Sequence, residues 1–166
     1  MFETAILFLL IAIISGSIFL GFERTKCREE IDLQASQITA VLNQARLRAI
    51  IARRRIFVLP FQRKDSEEPE ITKYFNDGIL VSRHYFSPGQ YIPAADILEE
   101  KRLLKDSQLT WNGFGSQKAI SFDAHGFLNY SNGHFLLQKK CRESLLSVKI
   151  IINRIGRIAK EEISSD

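Results

Sequence analysis

The feature that most constrains this chain is an uncharged run of nineteen residues, 4–22, close to its first residue. As a helix that rises ~1.5 Å per residue, the run would span roughly 28 Å, close to the hydrocarbon thickness of a bilayer. Lipid offers no partners to backbone N–H and C=O groups, so a single span has to be helical. The sequence therefore predicts a transmembrane helix over residues 1–23.

A cleaved signal peptide is the alternative interpretation of this run. Such a peptide has a basic start, a shorter apolar stretch and small residues at its cleavage site. The run has none of these features, and Cys27 follows Arg24-Thr25-Lys26 rather than a lipid-attachment pattern. We therefore interpret residues 1–23 as a permanent anchor.

Beyond the anchor, apolar residues recur at alternating spacings of three and four, which is the period of an amphipathic helix. They are Ile31, Ala35, Ile38, Leu42, Ala45, Ala49 and Ala52. No proline interrupts residues 1–59, so one helix of roughly 50 residues and ~75 Å is predicted to reach about Arg54. The soluble domain, 24–166, thus begins with a helical half at about 24–54, whose apolar stripe we expect to cover its own sheet.

The rest of the domain, about 56–160, alternates short strand patterns with turn residues. Strands are predicted at 56–59, where Pro60 ends the first, and at 71–75 and 79–82, which form a hairpin around Asn76-Asp77-Gly78. A short helix is predicted within 94–104, followed by strands at 108–111, 119–122, 127–130, 134–138 and 145–152. Glycine turns between short strands favour antiparallel pairing. The predicted fold class is α+β, a long N-terminal helix packed on an antiparallel β domain.

Catalytic and metal-binding patterns are weak throughout. The three histidines, His84, His125 and His134, lack metal-ligand spacing. The segment Gly113-Phe114-Gly115-Ser116 lacks the ending of a phosphate loop and is interpreted as a turn. Calcium could be considered for Asp65, Glu67, Glu68 and Glu70, but a solvated loop is the better explanation. We predict no catalytic, cofactor-binding or metal-binding residue, and no enzyme.

Two cysteines, Cys27 and Cys141, allow one disulfide in an oxidising space. Cys27 lies about one helical turn beyond the anchor, whereas Cys141 follows a predicted strand. We expect two unpaired thiols.

Four short motifs in order relate the chain to a known family. The helix carries Ala45-Arg46-Leu47-Arg48-Ala49, and a later turn carries Phe122-Asp123-Ala124-His125-Gly126. Asn132-Gly133-His134-Phe135 opens the next strand, and Gly156-Arg157 follows the last predicted strand. With these motifs the chain resembles the minor pseudopilins of type II secretion, the H-type or FimT-like group of the type IV pilin-like superfamily. The resemblance implies a pilin-like fold.

In that family a basic leader ending in glycine is cut before a phenylalanine, and a glutamate stands at the fifth position of the mature helix. Matching Ala12-Ile13-Ile14 to the equivalent stretch places processing at Met1 and Phe2, with Ile6 at the glutamate position. This departure leaves three alternatives: a tip subunit, a degenerate member, or a start codon assigned too late.

The resemblance implies a non-enzymatic minor pseudopilin, a structural subunit of a type II secretion or type IV pilus-like periplasmic fibre. Its N-terminus would be cytoplasmic and its C-terminal domain periplasmic, on a single pass through the bacterial inner membrane. By the positive-inside tendency alone, Arg24, Lys26 and Arg28 would place that domain in the cytoplasm instead. The expected partners are other pseudopilins and secretion-assembly proteins, with no cofactor and no small-molecule substrate. The positions expected to pack against other subunits within the membrane are Ile6, Leu10, Ile13, Gly16 and Leu20.

A DNA-binding minor pilin acting in DNA uptake is the alternative function. In such relatives a terminal Gly-Arg-x-Arg offers cations to phosphate groups. Here the chain reads Gly156-Arg157-Ile158-Ala159-Lys160, and Glu161 and Glu162 follow. The candidate contacts are Arg154, Arg157 and Lys160, and we rank nucleic acid below the structural role. Arg53, Arg54 and Arg55 are interpreted as a solvated helix end.

Overall fold

A computed structural model describes residues 2–63, 68–75, 77–113, 119–129, 132–141 and 144–163, with side chains between Thr25 and Glu161. The chain divides into two compact units, Met1–Glu30 and Ile31–Asp166. Helix α1 covers Phe2–Ala52. Its end agrees with the sequence prediction to within two residues.

The last turn of α1 ends in a capping motif centred on Arg53. The N–H of Arg53 donates to the carbonyl of Ile50 and the N–H of Arg54 to that of Ala49, each at 3.2 Å. Arg53 has a φ of 47°, in the left-handed region that normally selects glycine at this position. This pair of hydrogen bonds is the Schellman arrangement, which satisfies two of the carbonyls left unpaired at a helix end.

Within the described residues, nine strands follow α1, and every strand pair is antiparallel. They are β1 Ile56–Gln62, β2 Glu70–Ile71, β3 Gly78–Ser82, β4 Ile97–Arg102, β5 Ser107–Gly113, β6 Ile120–Phe122, β7 Gly133–Cys141, β8 Ser144–Ile152 and β9 Ile158–Ile163. One sheet has the order β2-β1-β3-β4, with β6 also paired to β1, and the other has the order β5-β7-β8-β9.

The main hydrophobic core lies between α1 and both sheets. Six of the seven predicted helix positions are buried in it, and the seventh, Ala52, is exposed at the helix end. The sheets contribute alternate residues of β1, β3, β5, β6, β7 and β8, among them Val58, Val81 and Phe135. The amphipathic half of the helix therefore packs on the β domain, as the sequence predicts.

The first sheet also buries its opposite face. Leu59 and Phe61 of β1, Ile71 and Leu80 form a second cluster with Ile92, from the segment before β4. Since β1 is covered on both faces, its sequence is an almost continuous apolar run rather than an alternating one.

Pro60 does not end β1, contrary to the prediction. Its carbonyl accepts a hydrogen bond from the N–H of Thr72, the residue that follows β2. Pro60 has no N–H for the reciprocal bond to Thr72, so β2 pairs with β1 only beyond this point, at Phe61 and Gln62.

Two further predictions for the β domain are wrong, and a third holds only in part. The residues around 76–78 do not connect a hairpin, because β2 and β3 both pair with β1 rather than with each other. The short helix predicted within 94–104 is present as the 3-10 helix Ala94–Asp96, but most of that range is β4. Leu128 makes only an isolated bridge with Phe122, so the described residues of 127–130 contain no strand.

The expectation of two unpaired thiols is also wrong. Neither Cys27 nor Cys141 is a free thiol, because both are disulfide-bonded. The positions of Cys27 and Cys141 in the sequence do not show whether the fold brings each thiol to a bonding partner.

Among the side chains that the structure describes, no helix is long and apolar enough to cross a membrane. The side chains of the predicted anchor, residues 1–23, are not among those that the structure describes.

Candidate assembly surface

Two turns of the β domain have the same backbone design. In the first, the N–H of Asp123 donates to the carbonyl of Phe127 and the N–H of Gly126 to that of Asp123, each at 2.9 Å. The Asp123 carboxylate also accepts from the N–H groups of His125 and Phe127. Gly126 has a φ of 77°, where a side chain would be strained. We call residues 123–127 the first turn.

The second turn, residues 153–157, repeats this design thirty positions later. The N–H of Asn153 donates to the carbonyl of Arg157 at 3.1 Å and the N–H of Gly156 to that of Asn153 at 2.9 Å. The Asn153 side-chain oxygen accepts from the N–H of Arg157, and Gly156 has a φ of 76°. Leu128, the residue that follows the first turn, donates its N–H to the carbonyl of Arg154 in the second turn.

Arg46 of α1 connects the helix to both turns. Its Nε donates to the carbonyl of Gly126 at 3.1 Å. A Cβ atom on Gly156 would lie 2.1 Å from that same carbonyl oxygen and 2.8 Å from Arg46 Nε. A Cβ atom on Gly126 would lie 2.7 Å from Cδ1 of Ile50. Only glycine permits this close approach, so three of the four sequence motifs meet at one point.

The other residues of the helix motif have equally defined roles. Ala45 and Ala49 are fully buried, and their small side chains let the helix lie close to the sheets. Arg48, on the opposite flank from Arg46, donates to the carbonyl of Leu98 at 2.8 Å and lies 3.4 Å from the Glu99 carboxylate. The two arginines thus bind the helix to the first turn on one side and to β4 on the other.

Around the two turns the surface is apolar and exposed. Exposed fractions range from 39% for Ile50 to 81% for Ile51, with Leu47, Phe127 and Ile155 in between. We call these five side chains, together with Arg53, Arg54, Arg55, Arg154 and Arg157, the helix-end surface.

The three predicted nucleic-acid contacts are not equivalent in the fold. Arg154 and Arg157 are exposed on the second turn. Lys160, on β9, forms an ion pair with Asp32 of α1. The structure therefore brings Arg154 and Arg157 together and assigns Lys160 an intramolecular partner. Exposed Arg53, Arg54 and Arg55 were not among the predicted contacts.

The predicted membrane and processing residues can be placed only in part. Phe2, Ile6, Leu10, Ile13, Gly16 and Leu20 lie in α1, but their side chains are outside the described part of the chain, and so is Met1.

No group of three metal-ligating side chains is found among the described residues. His84 Nε2 is 3.6 Å from Asp96, and His125 is in the first turn. His134 is on β7, where burial and, to a smaller extent, Lys149 lower the pKa of its imidazole below the ordinary value. Of the acidic loop, Glu68 is exposed and Glu70 belongs to β2, while Asp65 and Glu67, like residues 114–118, fall outside the described ranges.

A long N-terminal helix covering antiparallel sheets, joined by Arg46 and two glycine turns, defines a pilin-like subunit. A family model described as type II transport protein GspH matches residues 34–156. This segment begins on the buried helix face and ends at Gly156, so it contains Arg46, Gly126 and Gly156. The chain belongs to the GspH family.

One solved structure supports the fold independently. The chain is similar to the type IV minor pilin FimU of Pseudomonas aeruginosa, with a TM-score of 0.55 and 21% identity, over 84% of this chain and 94% of that chain. A second crystal form of FimU gives a TM-score of 0.49 at 21% identity, over 81% of this chain and 96% of that chain. The chain has no significant match among curated proteins. The match to the GspH family model is what supports a pseudopilin or pilin-like fibre subunit.

Proposed function

We propose that this protein is a non-enzymatic minor pseudopilin, a subunit of the periplasmic fibre of a type II secretion system. The observation that carries the proposal is the GspH family match, which ends at the turn packed against Arg46. In this role the chemistry is packing: residues 1–23 anchor the subunit in the inner membrane and its head contacts neighbours. The partners are other pseudopilins and secretion-assembly proteins.

Two features support a head located in the periplasm and an anchor in the inner membrane. The run 4–22 is uncharged and has the length of a membrane span. Both cysteines are disulfide-bonded, which is typical of oxidising compartments such as the bacterial periplasm.

Co-purification tests the assembly role. A tagged full-length chain, crosslinked in native membranes and then solubilised, is expected to recover other pseudopilins. Recovery of the chain only as a free monomer would contradict the proposal. The N-terminal sequence of the mature protein tests processing between Met1 and Phe2 in the same preparation.

Topology is tested separately by protease treatment of intact spheroplasts. The head should be digested while cytoplasmic markers survive, and carbonate washing should leave the protein in the membrane. A protected head, or release by carbonate, would show that the membrane assignment is wrong.

DNA binding in uptake is the second candidate, favoured by the exposure of Arg154 and Arg157 on one turn. The ion pair of Lys160 with Asp32 weakens this candidate, since it occupies one of the three cations. A labelled duplex titrated with the full-length protein at several salt concentrations tests it: binding that weakens steeply with salt would support DNA contact.

A further inference from the structure

The helix-end surface is one continuous region formed by three chain segments. Ile50 packs on Gly126, since a Cβ atom on that glycine would lie 2.7 Å from Ile50 Cδ1. Gly156 lies against the Gly126 carbonyl, so the second turn, which carries Ile155, is next to the first turn, which carries Phe127. Ile56 pairs with Phe122, so the three arginines before Ile56 lie next to the first turn.

This surface combines a large apolar area with charge of one sign. Segments 50–57, 122–129 and 153–158 contain five arginines and a single carboxylate, Asp123. That carboxylate already accepts two hydrogen bonds within its own turn, from the N–H groups of His125 and Phe127. In the described part of the chain, none of the five arginines forms an ion pair.

The mixture of side chains distinguishes between classes of partner. Exposed Ile51, Phe127 and Ile155 gain stability only when another apolar surface removes them from water. A phosphate backbone provides the opposite charge but no such apolar surface. Arginine around an apolar centre is instead typical of protein–protein interfaces, where the guanidinium groups pair with carboxylates at the edge.

We propose that the helix-end surface docks a protein partner, a neighbouring fibre subunit that presents carboxylates around exposed apolar side chains. This inference rests on the proposed function, because it names the kind of contact by which the subunit joins its fibre. Ile51, Phe127 and Ile155 bury against the partner's apolar side chains, while Arg154 and Arg157 pair with its carboxylates. Electrostatic attraction selects the partner and orients it.

A photo-reactive amino acid at Ile155 of the full-length chain, irradiated in native membranes, tests the contact. The expected product is a protein adduct whose crosslinked segment contains Asp or Glu beside apolar residues. Arg154→Glu combined with Arg157→Glu should lower the adduct yield about tenfold, whereas the matched lysine substitutions should retain most of it. Lys105→Glu, a charge reversal of an exposed residue between β4 and β5, is the control and should leave the yield unchanged.

Charge reversal on the partner completes the test. Replacing the carboxylates of the crosslinked segment by lysine should restore the adduct of the Arg154→Glu, Arg157→Glu chain. Any of three results would overturn the inference: an adduct yield that does not respond to these charges, an adduct that is sensitive to nuclease, or no adduct at Ile155. If pseudopilins still co-purify through the membrane helix in any of those cases, the proposed function survives and only this surface assignment fails. Equal unfolding midpoints for parent and variants would exclude misfolding as the cause.

Discussion

The Nε of Arg46 donates a hydrogen bond of 3.1 Å to the carbonyl oxygen of Gly126, 80 positions further along the chain. The same carbonyl is the closest atom to the site where a Cβ of Gly156 would stand. One helix side chain thus packs against two turns of identical design, at positions that the family motifs mark in the sequence.

The close approach at Gly156 predicts a large loss of stability for Gly156→Ala. A Cβ atom there would lie 2.1 Å from the Gly126 carbonyl oxygen at a φ of 76°, so we expect a loss of about 3 kcal/mol from clash and strain together. Gly89 is the matched control, because it has a φ of 90° with no atom within 4 Å of its Cβ position. Gly89→Ala should cost about 1 kcal/mol, through backbone strain alone.

Denaturant unfolding of the detergent-solubilised chain, followed by Trp111 fluorescence, measures both glycine variants. Equal losses for the two would show that the packing of the second turn on Arg46 has no energetic weight.

The backbone conformation of Arg53 predicts that a substitution at this position increases the stability of the fold. Arg53 occupies the left-handed position of the helix cap with a φ of 47°, which glycine adopts without steric cost. Arg53→Gly should therefore stabilise the fold by about 0.5–1 kcal/mol, measured as an increased unfolding midpoint. Arg54→Gly, at the next exposed position, lacks this conformational reason and serves as the control. A lower midpoint for Arg53→Gly would contradict the cap assignment.

The buried amide of Gln34 predicts strong coupling with Ser107. The Ser107 hydroxyl donates to Gln34 Oε1 at 3.0 Å, while Gln34 Nε2 is buried without a partner among the described residues. Ser107→Ala removes the hydrogen bond that this amide makes within the described part of the chain and should cost about 1–3 kcal/mol. Adding Gln34→Met should recover much of that loss, because no polar group then remains buried unpaired.

A double-mutant cycle in denaturant measures the Gln34–Ser107 coupling. Additive effects of the two substitutions would mean that the hydroxyl and the amide do not interact in the folded protein.

The lowered pKa of His134 predicts that the stability of the fold depends on pH. Burial, and then Lys149, hold the pKa of its imidazole below the ordinary 6.5, so the folded state binds fewer protons than the unfolded state between those two pKa values. Stability should therefore rise with pH across that interval and fall as the solution is acidified from 6.5 towards the folded-state pKa. His134→Gln should remove this slope.

An NMR titration of the His134 ring gives the folded-state pKa directly. Because burial is the larger cause, Lys149→Gln should raise that pKa only partway to 6.5. A parent value at or above 6.5 would contradict the assignment.

Periodicity predicts the helix and its buried stripe well, because the same positions that repeat along the sequence enter the core. It fails for β4, which contains Glu99, Glu100 and Lys101 and has the composition of a helix. Those acids are accommodated in a strand because Arg48 and Arg63 pair with them from distant segments. The charged edge strand β9 was missed for a related reason, since edge strands commonly carry charges that discourage further pairing.

The assembly surface could be predicted only in fragments. The motifs containing Arg46, Gly126 and Gly156 are visible in the sequence, but their contact depends on how α1 and the two turns are placed by the sheets. The arginines at 53–55 look like an ordinary solvated helix end until the pairing of β1 with β6 sets them beside the first turn. No local pattern carries that information.

The most direct test of the fibre-subunit account is photo-crosslinking from Ile13, within the predicted anchor, in living cells. The account predicts adducts with other pilin-like subunits of the same secretion system. A chain that forms no such adduct in an intact secretion system would contradict it.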